Sequence, residues 1–193
     1  MSRILFPKDF RYIIGASLVM IGCMLLGFIG VPIERLGIVA LEEDYLIGIV
    51  TAPFVHGSWS HLSGNLIGLW ICGYIASRQP KFKRVSVAIV IMTGALVWLF
   101  AGDGNHIGSS GVVMGYYGYL SGVAVFQRHL TGIISLIALA ILTYLANINL
   151  FGTLFNFSEN ISTESHLFGF LSGLLLAYAI RSKRWKNLAK NEN

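Results

Sequence analysis

Six runs of apolar residues, each bounded by polar or glycine-rich segments, decide most of what this chain can become. They cover approximately Tyr12–Val31, Leu62–Ser77, Val85–Ala101, Ser110–Gln127, Leu130–Leu150 and His166–Ile180. A hydrocarbon core of about 30 Å asks for about 20 helical residues. Several of the runs are shorter, so flanking residues or local thinning must extend them. Only 12% of residues are charged and mean hydropathy is +0.69, whereas a soluble domain carries about twice that charge. The expected fold class is therefore an all-α membrane protein with six transmembrane helices. Between the first two runs, "YLIGIVTAPFVHGSW" is apolar but broken by Pro53 and Gly57. It is too short to cross, so the loop 32–60 is expected to be interfacial.

Charge sets the orientation, because cytoplasmic loops collect Lys and Arg. With the N-terminus inside, thirteen of the fourteen cations lie on the cytoplasmic side, in 1–11, 78–84, at Arg128 and from Arg181 onward. Arg35 alone falls outside, together with Glu34, Glu42, Glu43, Asp44, Asp103, Glu159 and Glu164. The expected organisation is a cytoplasmic N-terminus (1–11), a membrane core (12–181) and a basic cytoplasmic tail (182–193). The first apolar run is longer than a signal-peptide core and lacks a small-x-small exit, so it reads as an uncleaved span. Cys23 and Cys72 both lie inside apolar runs and imply no disulfide framework.

Few polar groups remain in the outer halves of the spans, and such groups are costly enough to invite a functional reading. They are His61, Asn65, Ser110 and His166, with His56 and His106 nearby. Singly, each is more simply a packing or interfacial residue. Their placement argues otherwise. His61 and Asn65 share one helix face. Ser110 opens the fourth span and His166 the sixth, so all converge on the outer side. Gly111, Gly115, Gly118 and Gly122 form one small-residue face, and Gly169, Gly173 and Ala177 another; such faces let helices approach closely in lipid. Tight packing alone does not explain why a serine heads one strip and a histidine the other. A serine with an imidazole partner is the minimum for nucleophilic acyl transfer. His61, Asn65 and the Ser110 backbone N–H are candidate oxyanion donors, and the Gly108–Ser109–Ser110–Gly111 turn would expose hydroxyl and amide together.

These residues resemble the motifs of the rhomboid intramembrane serine proteases. "HLSGN" is similar to the family's H-x-x-x-N, "GSSG" to its G-x-S-G, and "HLFGFLSG" to its H-x-x-G-x-x-x-G. His56 matches a further common family histidine. The resemblance covers nearly the whole chain and implies a six-helix rhomboid-like bundle with both termini cytoplasmic. It also implies an endopeptidase that cuts within or beside the transmembrane segment of membrane-anchored protein substrates, with no metal and no cofactor. Ser110 would be the nucleophile and His166 the base. His61, Asn65 and Ser110 would hold the oxyanion, with His56, Gly108, Gly111, Gly169 and Gly173 in support. The expected location is a bacterial inner (plasma) membrane, active site facing out, with the bilayer and protein substrates as partners and no nucleic acid. Two departures stand out. The first loop lacks the family's Trp-Arg pair, and Met114 takes the place of an aromatic that often stacks on the base. The segment Phe151 to Ser165 is long enough to serve as a cap.

The alternative is a catalytically inactive rhomboid-like protein that binds membrane clients; such relatives usually lose the serine or the histidine, and both are present. A channel or transporter would want polar groups along a continuous path, which the inner halves lack. An aspartyl protease needs a second membrane aspartate beside Asp103, and a metalloprotease needs H-E-x-x-H; the chain has neither.

Overall fold

The computed structural model describes residues 7–127, 130–147, 149–153 and 162–191. The cap expected of Phe151 to Ser165 falls mostly on residues 154–161, outside the described residues, as do the basic side chains after Arg181. Helices of sixteen or more residues occupy all six apolar runs. They are α1 (Phe10–Phe28), α3 (Trp59–Ala76), α4 (Phe82–Phe100), α5 (Ser110–Gln127), α6 (Leu130–Leu145) and α8 (Thr163–Asn191). Between them lie the short α2 (Gly48–Thr51) and α7 (Leu150–Thr153), and the two-residue strands β1 (Ile38–Val39) and β2 (Asn105–His106). Among the described residues, three helices are long and apolar enough to cross a membrane: α1, α4 and Thr163–Arg181 of α8.

Helix α5 is the hub and touches α3, α4, α6 and α8. Its contact with α8 is the most intimate, and the reason is the paired glycine faces. A Cβ on Gly169 would collide with the Gly111 carbonyl, one on Gly173 with the Gly115 carbonyl, and one on Gly118 with the Phe170 carbonyl. Backbone therefore meets backbone over more than two turns. This is how lipid-immersed helices associate when apolar side chains gain nothing from leaving an apolar solvent.

Helix α1 packs on α3. Phe10 sets its ring edge-on to Trp70 and Tyr74, and Trp70 Nε1 donates to Ser17 Oγ at 2.9 Å. Large apolar side chains stay exposed along α1 (Leu18, Val19, Leu25) and α6 (Ile133, Ile134, Ile137, Ile141). In water such faces would demand a partner; a chain read as membrane-embedded turns them to lipid.

The loop 32–60 is folded rather than extended. Thr51 Oγ1 donates to the Leu36 carbonyl at 2.7 Å. Strand β1 pairs antiparallel with β2, Ile38 opposite His106. This ladder ties the first loop to the segment that leads into α5.

Candidate active site

Three helix starts meet at one end of the bundle. Helix α3 begins with Ser58 as N-cap; its hydroxyl accepts from the His61 N–H at 3.1 Å, which satisfies one of the donors a helix start leaves open. The cap fixes the first turn and thus the point from which His61 projects. One turn later Asn65 is buried, and its Nδ2 donates to the His61 carbonyl at 3.0 Å.

The turn into α5 fits against this pair. Gly108 has φ +104°, a conformation that L side chains rarely adopt. A Cβ there would also lie 2.6 Å from His61 Nε2 and 3.4 Å from Asn65 Oδ1. Only glycine lets the turn lie against the imidazole and the amide together. The Gly108 N–H donates to the Ala52 carbonyl at 3.0 Å, so the first loop holds the turn from the other side.

The two serines of the turn separate sharply. Ser109 is buried, and its hydroxyl donates to Asn65 Oδ1 at 3.1 Å. Ser110 is the first residue of α5 and is half-buried. With Oδ1 taken by Ser109 and one N–H by the His61 carbonyl, Asn65 retains one N–H to donate.

His166 is buried in the first turns of α8, and its own N–H donates to the Ser162 carbonyl at 3.3 Å. A Cβ on Gly111 would sit 3.2 Å from the Ser165 carbonyl, so the residue after Ser110 touches the residue before His166. His166 also lies within electrostatic reach of His61. Four of the expected residues therefore converge from α3, α5 and α8: His61, Asn65, Ser110 and His166. The expected Ser110–His166 hydrogen bond is not among the bonds seen between described residues; resting catalytic pairs are commonly looser than reacting ones.

His56 stands behind His61, ring centroids 5.0 Å apart and edge to face. It is buried in the first loop, and neither ring nitrogen has a partner of good hydrogen-bond geometry among the described residues. Burial first, then the neighbouring His61, pushes its pKa down from 6.5 to about 4; weaker contacts to Asn65 and the Phe54 backbone oppose this in part. His56 is thus neutral at pH 7 and cannot lend charge to the site. Met114 is buried in the main core.

Sequence reasoning passed over two further features. Ser109 orients Asn65 across 44 positions of chain, which no local pattern announces. Thr93 is buried with its hydroxyl unpartnered among the described residues. It faces a cavity of about 30 Å³, room for about one water, lined also by Gly108, Gly111, His106 and Ser165.

Residues 43–183 match the Rhomboid domain. The chain is 28% identical over 168 residues to an uncharacterized protein of Mycobacterium leprae, covering 83% of this chain and 66% of that one. It is 24% identical over 150 residues to RHOMBOID-like protein 5 of Arabidopsis thaliana, covering 72% of this chain and 46% of the plant protein. It is also 25% identical over 146 residues to a Bacillus subtilis protein named as a candidate rhomboid protease, covering 70% and 68%. The chain thus spans just under two thirds of the mycobacterial relative and about half of the plant one. With the domain match covering most of its length, this chain belongs to the rhomboid family.

Proposed function

We propose that the protein is an intramembrane serine endopeptidase of six spans, with both termini cytoplasmic and its site open to the outer side. The observation that carries this reading is the division of labour at the Gly108 turn. Ser109 is buried and committed to Asn65, while Ser110 stays partly accessible at the start of α5 beside the helix that bears His166.

The chemistry follows from the groups present. Ser110 Oγ attacks the carbonyl carbon of a substrate peptide bond, and its proton passes to the His166 imidazole. The carbonyl oxygen becomes an oxyanion. The Ser110 backbone N–H, at the positive end of α5, the remaining Asn65 N–H and the His61 ring are its donors. The carbon–nitrogen bond breaks as His166 returns the proton to the departing amine, which leaves an acyl ester on Ser110. Water then attacks the ester, gives its proton to His166 and releases the carboxylate; the proton returns to Ser110. The surrounding apolar surface favours substrates anchored in the bilayer. For such substrates the scissile bond lies in or next to a transmembrane segment.

Purified protein in proteoliposomes should cleave a single-span reporter added from the outer face, and His166→Ala should not. A folded wild type that binds single-span proteins but cuts none would instead support the client-binding alternative.

A further inference from the structure

We propose that His106 is a positioning residue that fixes the nucleophile turn against the start of the helix bearing the base. The inference rests on the protease reading above. His106 lies four residues before Ser110, and Ser162 lies four residues before His166. His106 is buried, its Nδ1 is 2.7 Å from Ser162 Oγ and its Nε2 is 3.1 Å from the Gly102 carbonyl oxygen. Its backbone belongs to β2, opposite Ile38 of β1. His106 therefore joins the start of the α4–α5 loop, the first-loop ladder and the threshold of α8.

The hydrogen-bond roles can be worked out. The Gly102 carbonyl only accepts, so Nε2 donates to it; in the tautomer with its proton on Nε2, Nδ1 accepts from the Ser162 hydroxyl. Ser162 is also the N-cap of α8: its Oγ accepts the Ser165 N–H at 3.2 Å and lies 2.7 Å from Ser165 Oγ. With Ser165 donating, every polar atom of the His106–Ser162–Ser165 chain is satisfied. A satisfied buried polar chain has one low-energy arrangement and resists shear between the segments it joins. The Ser165 carbonyl rests against Gly111, so this chain runs from the residue before the base to the nucleophile turn. It touches neither reacting atom and acts through geometry.

The test is the labelling kinetics of Ser110 by a fluorophosphonate, normalised to cooperatively melting protein in the same detergent. Displacing a reacting group by about 1 Å can cost about 100-fold, so His106→Ala should lower the maximal labelling rate by about 10- to 100-fold. The concentration for half-maximal labelling should stay within about twofold, because ground-state binding is untouched. His106→Gln, which keeps one donor and one acceptor, should recover most of the rate. Ser162→Ala breaks the same bond from the other side. It should repeat the loss, and it supplies the test should His106→Ala not fold. In the double variant the two losses should not multiply. Wild-type labelling per folded molecule in both single variants overturns the inference and leaves the protease reading intact. A folded wild type that takes no label overturns the protease reading and the inference with it.

Discussion

Ser109 and Ser110 are neighbours with different fates, and the difference yields the sharpest residue-level expectations. Ser110→Ala should abolish cleavage while leaving the melting temperature nearly unchanged, since alanine fits a small-residue helix start. Asn65→Ala removes one oxyanion donor and should lower turnover by about 10²–10³-fold with little change in KM. Ser109→Ala leaves Asn65 in place but frees its amide to rotate, so turnover should fall by less than in Asn65→Ala. Parallel turnover and melting measurements on the three variants check the order. His56 adds a pH dependence of known sign. Its folded pKa of about 4 lies below the ordinary 6.5, so the unfolded chain binds the extra proton between those values. Its contribution to stability is complete above pH 6.5 and is lost as pH falls from 6.5 toward 4. Melting curves across that window should show acid destabilisation that is smaller in His56→Phe; an identical slope in the variant would remove His56 as the cause. The histidines and the serine were legible as outer-half polar residues. The bonds that position them were not, because Ser109 to Asn65 and His106 to Ser162 join residues 44 and 56 positions apart.

At the scale of the element, the glycine faces of α5 and α8 were readable from spacing, and the structure brings them together backbone to backbone. A methyl added there has nowhere to go, whereas one added at Gly15 or Gly22 of α1 meets nothing within 4 Å. Overpacking typically costs 1–3 kcal/mol, and each kcal/mol moves a chain of this size by about 2–4 °C. Gly173→Ala and Gly169→Ala should therefore lower the melting temperature by about 2–12 °C and reduce activity through the displaced base. Gly22→Ala, which meets no neighbour and removes a helix-interior glycine, should instead raise it by about 1–4 °C. Thermal melts of the set decide whether α5–α8 contact or general helix propensity governs stability. Helices α3 and α5, of 18 residues each, fall on runs that the sequence marks as spans, yet among the described residues it is α1, α4 and α8, not these two, that are apolar enough over their length to cross a membrane. The histidines, asparagine, serines, tyrosines and glycines that build the site dilute the apolar signal. The short β1–β2 ladder and α2 had no signature either. Two paired residues are too few for an alternating pattern, and Pro53 and Gly57 pointed only to a broken segment.

The whole molecule is a bundle whose polar groups of interest gather at one end while its lateral faces remain apolar. Cation placement predicts that end to be the outer one. Alkaline phosphatase fused after Asp103 should be active, and fused after Arg84 or Arg181 inactive, in cells that export the reporter across the inner membrane. The reverse pattern would turn the molecule over and put the site in the cytoplasm. The central claim, that a serine at the start of α5 attacks with help from α8, has its most direct test in the chemistry of that serine. Folded protein in detergent should be treated with a fluorophosphonate, digested and mapped by mass spectrometry. The account predicts one adduct, on Ser110, absent from Ser110→Ala and strongly reduced in His166→Ala. An adduct on Ser109, or labelling that persists in Ser110→Ala, would contradict it.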